Sequence, residues 1–170
     1  AAATVVAACG VPVAKHGNRS ASGNSGSAEV LAELGVAVEP DGAVLSRCLR
    51  ELGITFLFAP RFHPGLRGVA PVRRQLPFRT IFNLVGPLAN PALPEFQLVG
   101  VAGERQAELV ADALATLGIP RAAVVTGSDG LDEVSLSGAT RVRLVESGSV
   151  QSLAWTPADF GLGPVALADL

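Results

Sequence analysis

At 170 residues, 49% hydrophobic and 16% charged, the chain is long and apolar enough for one substantial core, and such a composition is not that of a disordered segment. A formal net charge of −2 excludes a diffuse basic surface for a nucleic acid backbone and a polybasic run for an anionic membrane, so cationic chemistry must be local. Cys9 and Cys48 lack metal-ligand spacing and fall among apolar residues, which reads as core thiols in a reducing cytoplasm, not a secreted disulfide framework.

The opening "AAATVVAACGVPV" has no basic leader, and Gly10 and Pro12 cut it well short of the ~20 residues that span a bilayer. The sequence has no methionine, which points to a fragment of a longer protein. Residues 1–9 read as a helix body closed by Gly10, and residues 11–14 as a short buried strand. A polar stretch follows, and Ser27 is placed to cap a helix running to Leu34. Residues 41–52 repeat the form, with Val44, Leu45, Cys48, Leu49 and Leu52 on one face and Gly53 at the end. "ITFLFA" is a continuous apolar run, as expected of a strand covered on both faces in a parallel sheet.

A long proline- and arginine-bearing excursion occupies residues 60–92. Beyond it, "FQLVGVA" reads as a strand, residues 104–118 as an amphipathic helix with Leu109, Ala113 and Leu117 facing in, and "RAAVVTG" as another strand. Residues 139–155 alternate like a hairpin turning at Gly148, and residues 156–170 are weakly patterned. The alternation predicts an α/β fold with a mostly parallel central sheet flanked by helices. In such sheets ligands gather beyond the carboxyl ends of strands, where both "KHGNRSASGNSGS" and "TGSDGLDEVS" fall.

The first of these motifs holds Lys15, the sole lysine of the chain, beside His16, Asn18 and Arg19, with Gly17, Gly23 and Gly26 interleaved. Those are parts of a phosphate cradle, and the repulsion among clustered cations is relieved by an anion; a glycine-serine surface turn has the same composition. Asp132 and Glu133 are adjacent carboxylates suited to a hard cation such as Mg2+ that shares its shell with phosphates, and equally at home in a solvated turn where Asp129 is a turn residue. Arg73 and Arg74 offer guanidinium forks for a carboxylate, although exposed arginines commonly serve solubility alone. His63 precedes a proline and reads as structural by itself. No nucleophile elbow and no zinc-binding histidine cluster is present.

Taken together, "VAKHGNRS", "SGSAEVLAELGV", "FLFAPRFHPGLRGVAPVRRQL", "RTIFNLVGPLANPA" and "DGLDEVSL" resemble the anthranilate phosphoribosyltransferase family over most of residues 1–136. The resemblance implies a nucleoside phosphorylase/phosphoribosyltransferase-like catalytic domain truncated at both ends. It implies transfer of the phosphoribosyl group from phosphoribosyl pyrophosphate (PRPP) to the amine of anthranilate, in tryptophan biosynthesis. Lys15, His16, Gly17, Asn18, Arg19, Ser20, Ala21, Ser22, Gly23 and Ser27 would follow the donor. Asn18 and His16 would also meet anthranilate, and Arg73 would hold its carboxylate. Asp132 and Glu133 would bind Mg2+. No side chain is required as acid or base, and Lys15, His16 and Asn18 would act by positioning.

The family's glycine-rich pyrophosphate loop and its helical dimer domain are expected upstream of Ala1, in a cytoplasmic homodimer without nucleic acid or membrane partners. The fragment alone is expected to be poorly active. Thr126 and Leu66 depart from the histidine and methionine common in that family. A pyrimidine nucleoside phosphorylase or a nucleic-acid-binding relative fits less well, because "KHGNR" and "GPLANP" match the anthranilate enzymes and no basic surface exists.

Overall fold

The computed structural model describes residues 2–19, 26–66, 68–75 and 80–169, apart from the side chains of Ala70, Arg73 and Arg74. The chain forms two units, Ala1–Leu93 and Pro94–Leu170.

In the first unit, α1 (Ala2–Ala8) precedes β1 (Val13–Gly17), and α2 (Ser27–Glu33) and α3 (Gly42–Leu52) lead to β2 (Ile54–Phe58). β1 and β2 pair in parallel, with Val13 opposite Ile54 and Gly17 opposite Phe58, which requires a crossover of this kind. β1 begins later than expected and runs through Lys15, His16 and Gly17, while Val11 is exposed. Pro12 has no N–H for the ladder, so pairing starts at Val13, whose N–H donates to the Gly53 carbonyl at 2.8 Å. The first part of the cationic motif is therefore strand, not loop.

Ser27 is the first residue of α2, and Gly26 takes the cap position. The Gly26 N–H donates to Glu29 Oε2 at 3.0 Å, so the carboxylate satisfies the cap residue's own N–H, while no side chain takes the cap role expected of Ser27. Ala28, Phe56 and Phe58 form a buried cluster, with Leu31 and Val38 packed against it. Thr55 to Phe58 are all buried, as the continuous apolar run predicts. On α3 Leu45 is buried and Cys48 is half-buried, whereas Val44 and Leu52 are exposed. Cys9 is exposed, against the expectation of a core thiol, because α1 buries no residue and its end stays at the surface. The excursion folds as α4 (Ala59–Phe62), a 3-10 turn at Pro64–Leu66, α5 (Ala70–Gln75) and α6 (Phe82–Leu88).

In the second unit, β3 (Phe96–Gly100), α7 (Glu104–Thr116) and β4 (Arg121–Gly127) form a β-α-β unit with parallel strands. β5 (Thr140–Glu146) and β6 (Ser149–Trp155) add on antiparallel, in the order β3-β4-β5-β6. Their turn is Ser147-Gly148, with φ of 48° and 84°, the backbone of a tight two-residue hairpin. The α/β class holds: β1 pairs with β2 and β3 with β4 in parallel, with helices between them, and the expected hairpin β5–β6 extends the second sheet antiparallel. β5 returns antiparallel to β4 after the loop of residues 128–139, and the Ser147-Gly148 turn returns β6 antiparallel to β5.

α7 turns a different face inward from the one expected. Ala107, Val110, Ala111 and Leu114 are buried, whereas Leu109 is 45% and Leu117 is 59% exposed. The small residues let the helix settle close against β4 and β5, and the bulkier leucines are displaced to its flank. Leu114→Ala is expected to cost about 2–5 kcal/mol and Leu117→Ala under about 1 kcal/mol in denaturant unfolding. Equal losses would contradict this orientation.

The tail is more ordered than its sequence suggests. A 3-10 turn at Pro157–Phe160 is capped by Thr156 and Asp159, and Phe160 meets Trp155 edge-on with ring centroids 5.9 Å apart. Among the described residues no helix is long and apolar enough to cross a membrane.

Candidate functional site

The cationic motif is fixed at the carboxyl end of β1 by partners from far along the chain. His16 Nδ1 lies 3.2 Å from the Gly86 carbonyl of α6, and Asn90 Nδ2 donates to the Ala14 carbonyl at 3.1 Å. "GPLANP" thus braces the strand that carries Lys15. Gly17 is demanded by packing, since a Cβ there would stand 2.9 Å from Cε2 of Phe56, a core ring.

The chain's two histidines meet, with Nε2 of His63 3.2 Å from Nε2 of His16 and the rings edge-to-face. A carbonyl can only accept, so His16 donates from Nδ1; its Nε2 then accepts, and His63 donates from Nε2. Burial holds the His16 pKa below its ordinary value, the Gly86 carbonyl works against that, and His63 adds to the lowering. The unfolded ring therefore takes up its proton first as pH falls. The stability this arrangement gives is fully present above about pH 6.5 and declines as pH drops through the lower folded value. An NMR titration should place the His16 midpoint below 6.5; a midpoint at or above it would overturn the assignment.

Lys15, Asn18 and Arg19 are exposed, and among the described residues neither Lys15 nor Arg19 has an ion pair. The Arg19 guanidinium lies over Phe58, 5.8 Å from the ring centroid, which holds the charge while leaving N–H donors at its edge. Asn18 Oδ1 accepts from the Arg19 N–H at 2.8 Å, turning its NH2 outward as a donor. Two unpaired cations and an amide donor at one strand end favour an oxygen-rich anion. Ser27 is half-buried in the first turn of α2. Ser20, Ala21, Ser22 and Gly23 lie outside the described residues. Arg73 is placed on α5, and its side chain is outside them.

In the second unit, Asp132 and Glu133 sit on the loop between β4 and β5. Both are exposed, and neither carboxylate has a hydrogen bond or ion pair among the described residues. The carboxylate oxygens are hard donors suited to Mg2+. Among the described residues no three His, Cys, Asp or Glu side chains converge, so the pair suits an ion that completes its shell from water and phosphate, not an all-protein cage.

Nothing in the local spacing singled out Gly100 or Asp129. A Cβ at Gly100, the last residue of β3, would overlap the Asp132 carbonyl oxygen. Asp129 accepts from the Leu131 N–H and from the Ser135 and Ser137 hydroxyls. These bonds hold its pKa below the ordinary carboxylate range, the Ser135 hydroxyl most of all. It is more than the turn residue its sequence position suggests. Thr126, where a histidine was expected from the resemblance, is buried and donates to the Val101 carbonyl at 2.9 Å, and Leu66 is exposed.

The first unit presents cations at the end of a strand and the second presents carboxylates on a loop, each within an α/β arrangement. The chain belongs to the glycosyl transferase family, matching its a/b domain over residues 1–170. It is 55% identical over 169 residues to an anthranilate phosphoribosyltransferase of Rhodospirillum rubrum, an alignment covering 99% of this chain and 48% of the relative. The anthranilate phosphoribosyltransferase structure from Thermus thermophilus is 47% identical, with a TM-score of 0.89, and the match covers 99% of this chain and 50% of that one. The Saccharomyces cerevisiae enzyme in complex with PRPP and Mg is 30% identical with a TM-score of 0.84, covering 98% of this chain and 46% of that one. The chain thus spans about half the length of the relatives it matches.

Proposed function

We propose that residues 1–170 are part of the phosphoribosyl-transfer domain of an enzyme that transfers the phosphoribosyl group of PRPP to anthranilate, releasing pyrophosphate, in tryptophan biosynthesis. The observation that carries this reading is the end of β1, where Lys15 and Arg19, without ion pairs among the described residues, and the Asn18 amide stand beside a braced His16 whose pKa burial lowers. The identity to anthranilate phosphoribosyltransferases supports it.

In the reaction, the amine nitrogen bonds to the ribosyl anomeric carbon, the bond from that carbon to the pyrophosphate oxygen breaks, and the nitrogen loses a proton. An aromatic amine is already a nucleophile, so positioning and charge stabilisation dominate. Lys15 and Arg19 meet donor phosphates, with Gly17, Ser20, Ala21, Ser22, Gly23 and Ser27 following the rest of the donor. Asn18 donates to donor and acceptor, and neutral His16 lines the aromatic site without repelling the positive charge that grows on the ribosyl carbon. Asp132 and Glu133 would hold Mg2+, which would supply charge neutralisation for the leaving pyrophosphate. The full-length protein, in this reading, is a cytoplasmic homodimer joined through a helical domain outside this chain.

The test is PRPP-dependent consumption of anthranilate by the full-length protein in Mg2+, with thymidine phosphorolysis and single-strand DNA binding as controls. Activity in a control and none on anthranilate would overturn the reading. If Arg73 forks the anthranilate carboxylate, Arg73→Ala should raise the KM for anthranilate roughly 30- to 100-fold and that for PRPP by less than about threefold. Equal changes in both constants would remove that role.

A further inference from the structure

We infer that Asp129 is a positioning residue for the metal: a carboxylate that binds no ion itself but closes the loop presenting Asp132 and Glu133. The inference rests on the proposed role of that pair. Asp129 Oδ1 accepts from the Leu131 N–H at 3.0 Å, immediately before the acids, and Oδ2 accepts from Ser135 Oγ at 2.5 Å and Ser137 Oγ at 2.9 Å, just after them. The acid pair is therefore held at the tip of a ring whose two sides converge on one carboxylate.

Surrounding bonds tie the ring to the sheet. The Gly127 N–H donates to the Leu131 carbonyl, the Ser128 N–H to the Ala139 carbonyl, and the Ser135 N–H to Thr140 Oγ1. Ser135 Oγ in turn accepts from the Ser137 and Gly138 N–H groups. Three carboxylates thus fall within one short loop with opposite assignments. The oxygens of Asp129 are committed to protein donors, whereas those of Asp132 and Glu133 have no partner among the described residues. A metal ligand held this way loses little freedom when the ion arrives, and orientation by such outer partners typically affects metal affinity roughly 10- to 100-fold.

The experiment uses the full-length protein, with Mn2+ binding in the presence of pyrophosphate followed by electron paramagnetic resonance, alongside thermal melting. Asp129→Ala should weaken Mn2+ about tenfold and raise the Mg2+ concentration for half-maximal turnover by a similar factor, with the anthranilate KM unchanged. Ser135→Ala with Ser137→Ala, which removes two of the same bonds from the other side, should weaken Mn2+ in the same direction. Adding Asp129→Ala to that pair should cost less than the separate effects summed. Asp129→Asn keeps an acceptor for the Leu131 N–H but not a carboxylate oxygen for both hydroxyls, and should fall between wild type and alanine. A role in folding alone would lower the melting temperature and leave Mn2+ affinity intact.

Asp132→Ala with Glu133→Ala serves as the reference. If it binds Mn2+ as wild type does, the metal reading fails and takes this inference with it. If it loses Mn2+ while Asp129→Ala and the serine pair keep wild-type affinity, the positioning role alone is overturned. Should Asp129→Ala fail to fold, the serine pair decides the matter.

Discussion

In the full-length protein, replacing Asp132 and Glu133 together by alanine should lower Mg2+-supported kcat/KM about 10²- to 10³-fold. In the proposed reaction pyrophosphate leaves as a highly charged group, and charge neutralisation at the departing oxygen acts mainly in the transition state, so kcat should carry much of the loss. The fold should hardly notice. Both side chains are exposed and without hydrogen bonds or ion pairs among the described residues, so their removal is expected to change stability by no more than about 0.5 kcal/mol. Steady-state rates across a Mg2+ titration, with melting curves beside them, separate the two outcomes. A double variant with the wild-type Mg2+ dependence would show that the acids are only a solvated turn.

Gly100→Ala is expected to damage the same loop without touching a carboxylate. The added Cβ overlaps the Asp132 carbonyl oxygen, and backbone on either side must move for it to fit. Such overpacking costs about 1–3 kcal/mol, and if Asp132 holds the metal as proposed, a displacement on the order of 1 Å there should reduce turnover about 10²-fold. The control is Gly163→Ala, where the added carbon meets nothing within 4 Å. Weaker Mn2+ binding and slower turnover should appear in the first variant and not in the second. If Gly100→Ala binds metal normally while only its melting temperature falls, the glycine serves packing alone.

The parts of the fold legible in the sequence were those set by local pattern. The apolar run of β2, the β-α-β unit around α7 and the hairpin turn at Gly148 each follow from neighbouring residues, and each formed. The inward face of α7 differs from the stripe of Leu109, Ala113 and Leu117 that the spacing predicts, because against β4 and β5 it is Ala107, Val110, Ala111 and Leu114 that pack. Pro12 sets the start of β1 at Val13, and its run over Lys15, His16 and Gly17 follows the register with β2, visible only once that ladder partner is known. At the candidate site, Lys15, Asn18 and the acid pair stood out by type and adjacency. His63, Gly86, Asn90 and Gly100 did not, since each acts through a residue distant in sequence. Asp129 escaped for another reason, as serines a few positions away in a loop carry no periodic signal.

The bracing of β1 also bears on how the protein is made. His63 lies 47 residues beyond His16, Gly86 lies 70 beyond it, and Asn90 lies 76 beyond Ala14. Synthesis at roughly 5–20 residues per second places Asn90 about 4–15 s behind the strand it secures. Lys15 and Arg19 therefore belong first to a nascent chain without β2, then to one that has β2 but lacks the α6 carbonyl and the Asn90 amide, and each contact must close a long loop. The anion-facing strand thus leaves the ribosome well before the residues that brace it, so a translational pause before residue 86 would hold the chain with His16 lacking its Gly86 partner and Ala14 its Asn90 partner.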